Sequence, residues 1–218
     1  MRSQFGSSSS FRGRAARTGI TAMVDRFDCE ASSTEGKAGR NDVGFERLGY
    51  AAVPIPHKSA AGTDLQVKQL TLIIIYDGAA KGEATGSGEH QRILLGMKKR
   101  GFGEGKYNGF GGKVEAGETI EAAAKRELLE EANVSLADGS LEKRGVLTFF
   151  WEGQSSVMQI HLFSADTADM RGEPAESTEM RPEWFELAGL PYDQMWEDDQ
   201  HWFPWCAKSL NISSHRPP

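Results

Sequence analysis

Residues 111–134 (GGKVEAGETIEAAAKRELLEEANV) constrain the fold of this chain more than any other segment. From Glu118 to Ala132 the segment has no Gly or Pro and is rich in Ala, Leu, Glu, Lys and Arg, which are strong helix formers. Asn133 follows where this pattern ends, and Asn is the best non-glycine residue for the left-handed conformation that closes helices. The sequence therefore predicts an α-helix over Glu118–Ala132.

The predicted helix combines apolar and acidic residues on one face. The apolar half of this face is expected to pack on a sheet, and carboxylates that repel one another continue it. Arg126 can offset this repulsion only at Glu130, which lies four residues further along the helix. A solvated acidic face is the plain interpretation, but the opposite side, with Lys125, is better suited to water. At 100° per residue the shared stripe contains Ile120, Ala123, Ala124, Glu127, Glu130 and Glu131.

A hard divalent cation would resolve this conflict. Mg²⁺ and Mn²⁺ prefer carboxylate oxygen and keep positions open for phosphate. The glycines of NGFGGK (108–113), just before the helix, would let the backbone approach a ligand closely, although any tight bulge also uses glycine. The segment therefore predicts a metal site on the helix, with a glycine-rich turn beside it.

Elsewhere the sequence predicts mainly strands. A second helix is predicted at Asp198–Leu210, where it must accommodate Pro204. Several strands and two helices that do not alternate strictly predict an α/β architecture with a mixed sheet. Runs of β-branched and aromatic residues predict strands at Val67–Tyr76, Arg92–Arg100, Glu142–Trp151, Ser156–Ala165 and Met180–Leu187.

The N-terminal third has a different composition. Residues 1–22 hold four arginines, five serines and no acid, which is typical of an organellar transit peptide and equally of a disordered Ser/Arg tail. Residues 23–66 are rich in Gly, Ala, Ser and charge, and we expect them to be mostly disordered apart from a short strand at Leu48–Val53. The ordered domain is therefore expected at 67–210, with a tail at 211–218.

Charge and cysteine content limit the partners and the compartment. A formal net charge of -6 argues against stable binding to nucleic acid or to an anionic membrane, but a bound metal could still attract a nucleotide. Cys29 and Cys206 are the only cysteines, which favours a reducing compartment. No apolar run approaches the roughly 18 residues that span a membrane. We expect a soluble monomer in the cytoplasm, with mitochondria or nucleus as alternatives.

The acidic segment also resembles the signature of the Nudix family, G-x5-E-x7-R-E-U-x-E-E-x-G-U, where U is aliphatic. Asn133 replaces the last glycine, and because Asn tolerates the same backbone conformation we expect only a mild loss of stability. The resemblance implies an α/β/α sandwich and Mg²⁺-dependent hydrolysis of a nucleoside diphosphate linked to another group, with Mn²⁺ as a substitute. The matching residues are Gly112, Glu118, Arg126, Glu127, Leu128, Glu130, Glu131 and Val134.

The family resemblance further implies roles for individual residues. Arg126 would orient the glutamates, and Lys113 would face the phosphates. Either Glu131 or Glu130 would take a proton from the attacking water as general base. The metal ligands that the resemblance implies are Glu127, Glu130, Glu131, Glu179 and the carbonyl of Gly111.

From Gln69 to Lys208 the chain is most similar to Nudix enzymes that hydrolyse oxidised purine nucleoside triphosphates, such as 8-oxo-dGTP and 2-hydroxy-dATP, to monophosphate and pyrophosphate. This similarity is carried by LLGMKKRGFGEGKYNGFGGK, ESTEMRPEWF and MWEDDQHWFPW. An 8-oxo purine has an N–H at position 7, which a carboxyl group can accept, and an indole can stack on its ring. The base pocket that this implies contains Asn108, Trp196, Asp198 and Asp199 and is lined by Lys98, Phe102, Phe149 and Met180.

Two adjacent acids that face one ligand should not both ionise easily, so we expect a raised pKa for Asp198 or Asp199. The same pair also fits a helix N-cap. Trp184, Trp202 and Trp205 fit plain core or helix packing.

Two other functions compete with this one. A different Nudix substrate, such as a dinucleoside polyphosphate or ADP-ribose, would keep the helix chemistry and abandon the base pocket. A non-catalytic Nudix module that binds RNA or nucleotide is disfavoured, because all the signature glutamates are present and the net charge is negative.

Overall fold

A computed structural model describes residues 20–27, 64–77, 92–151 and 155–209. The helices are α1 (Ile120–Ala132) and α2 (Asp199–Ser209). The strands are β1 (Ile20–Phe27), β2 (Gln66–Tyr76), β3 (Arg92–Lys98), β4 (Tyr107–Asn108), β5 (Ser135–Leu136), β6 (Glu142–Trp151), β7 (Ser156–Asp166), β8 (Met170–Arg171) and β9 (Met180–Glu186).

Within the described residues one mixed, seven-stranded sheet has the order β1–β6–β7–β2–β3–β4, and β9 pairs with the other side of β3. β2 and β7 run parallel, whereas the remaining pairs are antiparallel. β5 and β8 form a separate antiparallel pair. The expected mixed sheet is therefore confirmed.

Alternating residues of the central strands supply both faces of this sheet. Ile73 and Ile75 of β2 belong to a core beneath α1, which we call the α1-side core. Leu72 and Ile74 belong to a second core beneath α2, the α2-side core. Helices thus cover both faces, as in the predicted α/β/α sandwich, and each fully buried Ile or Leu contributes roughly 1.5–3 kcal/mol. The largest side chain that α1 buries is Leu128, and the largest that α2 buries are Trp202 and Phe203.

Both ends of α1 follow from its sequence. The Thr119 side chain accepts a hydrogen bond from the Ala122 N–H at 3.1 Å and caps the first turn. Asn133 closes the helix with φ 59° and donates its N–H to the Leu129 carbonyl at 3.0 Å. The predicted closing residue is confirmed, and the helix begins two residues later than predicted because Thr119 takes the N-cap position.

The predicted strands and second helix are also confirmed, with bounds that differ by two residues at most. The sequence does not predict β1, which lies in the stretch expected to be mostly disordered. β1 pairs antiparallel with β6 and covers that edge of the sheet, and a pairing across so long a sequence separation leaves no local pattern. Leu48–Val53, the loop 78–91 and the tail 211–218 lie outside the described residues. No helix in the described ranges is long and apolar enough to cross a membrane.

Candidate active site

The glycine-rich turn lies against β2, where only glycine fits. The Thr71 N–H donates to the Gly112 carbonyl at 2.9 Å, and the Ile73 N–H donates to the Phe110 carbonyl at 2.7 Å. A Cβ at Gly111 would lie 2.1 Å from the Thr71 carbonyl oxygen. A Cβ at Gly112 would lie 2.5 Å from an oxygen of Glu127. Because these two glycines have no Cβ, the backbone of the turn can lie directly against a carboxylate of α1.

Glu131 is the buried carboxylate of this site, with 2% of its surface exposed. Its Oε2 accepts the Gly111 N–H at 2.9 Å, and its Oε1 accepts Lys98 Nζ at 3.1 Å. Burial raises the pKa of Glu131, and these two donors offset part of the rise. Lys98 Nζ also lies 3.3 Å from Glu179 Oε2. The resemblance implies that Lys98 lines the base pocket, but the structure places its ammonium between two carboxylates of the expected metal site.

Arg126 holds the remaining acids of the cluster. Its Nε and Nη2 donate to the two oxygens of Glu118 at 2.7 and 3.1 Å. Its Nη1 donates to Glu127 at 2.9 Å and to Glu130 at 3.2 Å. The expectation that Arg126 relieves only Glu130 is therefore wrong, because helical spacing does not reveal a partner that precedes the helix. Arg126 fixes Glu127 and Glu130 side by side, and its Nη2 reaches the Lys113 carbonyl at 3.0 Å.

The chemistry of these donors suits a hard divalent cation. Burial raises the pKa of Glu127 despite the bond from Arg126, and the charge of Glu130 adds to the rise. Carboxylate oxygens that cluster at a glycine turn are the ligands that Mg²⁺ or Mn²⁺ prefers. Within the described ranges, no three Asp, Glu, His or Cys side chains converge closely enough to hold a metal as they stand. Lys98 and Arg126 occupy these oxygens, so a cation would replace their hydrogen bonds.

A second group of predicted residues meets on the α2 side of the sheet. Phe102 is 82% exposed and stacks on Trp196, with ring centroids 4.9 Å apart and an interplanar angle of 24°. Asp199 Oδ2 accepts the Trp196 N–H at 3.0 Å. Phe149 lies in the α2-side core together with Trp202. The structure therefore brings four residues of the predicted base pocket to the same side as the start of α2.

Burial raises the pKa of both adjacent aspartates, of which Asp199 is buried and Asp198 half-buried. Burial raises the pKa of Asp199 to about 7, and the charge of Asp198 adds to the rise. Burial also raises the pKa of Asp198. The Asp199 carboxylate is 2% exposed and bonds back to the Trp196 N–H, so it does not cap the first turn of α2. The indole N–H of Trp202 lowers the pKa of both aspartates, but by less than burial raises it.

Three other predicted residues lie elsewhere or have different contacts. Met180 packs in the α1-side core, so the structure does not bring it to Phe149 and Trp196. Lys113 has an exposed side chain. Asn108 is half-buried, and its Oδ1 accepts the Gly109 N–H at 2.8 Å. The assignment of Met180 to the base pocket stays a prediction, and the structure places Met180 in the α1-side core and Phe149 in the α2-side core.

The sequence does not single out Lys106. Its Nζ lies 5.2 Å from the centroid of the Trp196 ring and donates to the Met195 carbonyl at 2.8 Å. Its positive charge lowers the pKa of Asp199 and so opposes the larger effect of burial. A single lysine in a glycine-rich segment carries no recognisable signal, so only the fold shows this contact.

Comparison with known proteins gives a consistent picture. The NUDIX domain family matches residues 85–206. The oxidized purine nucleoside triphosphate hydrolase of Mus musculus is 51% identical over 125 residues, which cover 57% of this chain and 78% of the relative. The protein of the same name from Danio rerio is 57% identical over 113 residues, which cover 52% and 70%. Among solved structures, a MutT NUDIX hydrolase from Burkholderia pseudomallei is 22% identical with a TM-score of 0.48, covering 68% of this chain and 99% of that chain.

Proposed function

The chain belongs to the NUDIX family, and we propose that it hydrolyses oxidised purine nucleoside triphosphates to the monophosphate and pyrophosphate. 8-oxo-dGTP and 2-hydroxy-dATP are the proposed substrates, and their removal would cleanse the nucleotide pool. Support comes from two relatives more than half identical that are named as oxidized purine nucleoside triphosphate hydrolases. The acid cluster on α1 and the aspartate pair at α2 supply the two groups that this reaction needs.

The Asp198–Asp199 pair, with Asp199 buried and Asp198 half-buried, is the observation that carries the choice of substrate. A carboxyl group with a pKa of about 7, as in Asp199, can accept a hydrogen bond when ionised and donate one when protonated. An oxidised purine has a donor at N7 where the normal purine has an acceptor, so such a group can distinguish the two. The Trp196 ring, fixed through its backbone bond to Asp199, offers a surface on which the base can stack.

The α1 cluster supplies the hydrolytic chemistry. Nudix hydrolases generally require a divalent metal, usually Mg²⁺, which offsets phosphoryl charge and lowers the pKa of the attacking water. Arg126 keeps the carboxylates in register, and the exposed Lys113 can meet the charge of the phosphates. The residues that would hold Mg²⁺ are Glu127, Glu130, Glu131, Glu179 and the Gly111 carbonyl.

Glu130 and Glu131 differ in their readiness to act as general base. Glu130 is 59% exposed and open to water. Both oxygens of Glu131 accept hydrogen bonds, and the one from the Lys98 ammonium lowers the pKa of Glu131, so displacement of that ammonium would make Glu131 a stronger base. Both glutamates stay candidates, and displacement of Lys98 is the step that separates them.

Chromatographic separation of the nucleotide products formed with Mg²⁺ tests the proposal directly, because it follows cleavage of every compound, whereas pyrophosphate is released only from the triphosphates. The substrates to compare are 8-oxo-dGTP, 2-hydroxy-dATP, dGTP, ADP-ribose and a diadenosine polyphosphate, and we expect the two oxidised purines to be preferred. If no compound is cleaved, the proposal that this protein is a hydrolase is wrong. If ADP-ribose or the dinucleotide is preferred, the proposed hydrolysis at α1 stands and the proposed oxidised-purine substrate is wrong.

Substitution in the aspartate pair tests the base-recognition part. Asp198→Asn should mainly erase the preference for oxidised over normal purine, because it removes a carboxyl group that can change protonation state. Asp193→Asn removes a charge from an exposed position nearby and is the matched control. An unchanged substrate ranking in Asp198→Asn would show that the base is recognised elsewhere.

A further inference from the structure

Residues 101–106 (GFGEGK), which we call the glycine loop, have a shape set by three glycines. Gly101, Gly103 and Gly105 have φ angles of 77°, 84° and 81°, a region that side-chain-bearing residues rarely adopt. The loop joins β3 to β4, and its base is closed by two hydrogen bonds between Lys98 and the Gly105–Lys106 backbone, at 2.8 and 2.9 Å. The side chains on the loop are thus held by a defined backbone conformation.

The glycine loop encloses Trp196. Phe102 stacks on the indole, and a Cβ at Gly103 would lie 2.8 Å from Cζ2 of that ring. The Lys106 ammonium lies 5.2 Å from the ring centroid while donating to the Met195 carbonyl at 2.8 Å. Lys106 is therefore anchored to the residue that precedes Trp196 and interacts with the face of its ring as a cation–π partner.

Lys106 also acts on the aspartate that binds the Trp196 backbone. The groups that influence the charge of Asp199 are Asp198 beside it, the Trp196 N–H, the Trp202 indole and Lys106. Tyr192 is affected in turn, because burial and the Asp199 charge raise its pKa to about 12. His201 and Glu197 act on the charge of Asp198 in opposite directions, whereas Lys106 acts on Asp199 and favours its ionised form.

We propose that Lys106 is a positioning residue for recognition of the purine base, holding the Trp196 ring in place and supplying a positive charge beside the residue that Asp199 binds. This inference rests on the proposed function, since it assigns the base to Trp196 and the aspartates. Lys106 acts through those residues, and its own ammonium is already engaged by a carbonyl and a ring. It belongs to base recognition, so the chemical step at α1 should not depend on it.

Calorimetric titration with 8-oxo-dGMP tests this role, because that nucleotide carries the base and is the product of the proposed reaction. Lys106→Met keeps the aliphatic stem and removes the charge, whereas Lys106→Arg keeps a cation that can lie on the ring. We expect Lys106→Met to weaken binding about tenfold at pH 7 and Lys106→Arg to retain most of the affinity. Lys68→Met, at an exposed lysine near the start of β2, is the control for net charge.

The pH dependence and the kinetics supply readouts that general damage would not reproduce. Removing the positive charge should raise the pKa of Asp199, so the inflection in affinity between pH 6 and 8.5 should move to higher pH in Lys106→Met. KM for 8-oxo-dGTP should rise while kcat stays near its original value. Lys106→Arg should keep both the original inflection and the original KM.

The outcomes separate this inference from the function on which it rests. Failure of the unaltered protein to bind 8-oxo-dGMP or to hydrolyse 8-oxo-dGTP would refute the proposed function, and the role of Lys106 with it. Normal binding with an unchanged affinity and inflection in Lys106→Met would overturn the inference alone. Equal weakening in the Met and Arg variants would also overturn it, since that result indicates packing and not charge.

Discussion

Replacing the buried Asp199 carboxyl with an amide should stabilise the folded protein, and increasingly so as the pH rises. Asp199 is 2% exposed, and its pKa is raised from 3.8 to about 7 by burial and by Asp198. The amide oxygen of Asp199→Asn can still accept the Trp196 N–H that Asp199 accepts at 3.0 Å. The substitution therefore removes the charge and keeps the hydrogen bond.

The magnitude follows from the two pKa values. Between pH 3.8 and about 7 the folded chain binds a proton at Asp199 that the unfolded chain has released. The free energy of unfolding therefore falls by about 1.4 kcal/mol per pH unit over this window and levels off above it. A neutral Asn has no such dependence, so the advantage of the variant should grow from roughly 2 kcal/mol at pH 5 to roughly 4 kcal/mol at pH 8.

Urea unfolding at pH 5, 6, 7 and 8 measures this difference for the unaltered protein and for Asp199→Asn. Asp193→Asn, at an exposed site close by, corrects for the change in net charge. The decisive quantity is the rise in the stability difference, roughly 2–3 kcal/mol from pH 5 to pH 8. A difference that stays constant or shrinks with pH would show that the Asp199 carboxyl ionises without a penalty in the folded state.

Three further predictions concern the α1 cluster. Gly112→Ala should weaken Mn²⁺ binding in an EPR titration, because the new Cβ would lie 2.5 Å from a Glu127 oxygen. Gly189→Ala is the control and should leave Mn²⁺ binding unchanged, because a Cβ at Gly189 would meet no atom within 4 Å. Lys98→Met should tighten Mn²⁺ binding several-fold, since it removes an ammonium 3.1 Å from Glu131. An unchanged affinity would show that the Lys98 ammonium and the cation do not compete for the Glu131 carboxylate. Glu131→Gln should reduce pyrophosphate release by about 100-fold or more while leaving the circular dichroism spectrum unchanged.

Local patterns in the sequence predict α1 well. Its helix-forming composition, the Asn133 closure and the collinear carboxylates all depend on residues within one or two turns of each other. The partner of Arg126 is different, because Glu118 lies before the helix and comes within 2.7 Å only through the path of the preceding turn. Spacing along a helix identifies neighbours on that helix and no others.

Contacts between distant segments account for what the sequence does not predict. β1 forms against β6, and nothing in the composition of its own residues requires that partner. Lys98 and Met180 are register partners on adjacent strands, yet Lys98 reaches the acids of α1 while Met180 fills the α1-side core. A family resemblance places both residues near the site, but the roles of their side chains depend on strand twist and packing.

The base of the glycine loop joins the α1 carboxylates to the proposed base pocket. The separate sequence motifs do not reveal this connection. The Lys98 N–H donates to the Lys106 carbonyl at 2.9 Å, so these lysines stand at the closed base of the glycine loop. From that base the Lys98 ammonium points to Glu131, at 3.1 Å, and the Lys106 ammonium lies over Trp196, at 5.2 Å from the ring centroid. The same loop therefore fixes the distance between the carboxylates that would cleave the phosphates and the ring that would hold the base. In the proposed site, substitutions at Trp196 and its neighbours would alter recognition of the base without displacing the α1 cluster, because that cluster contacts the other lysine.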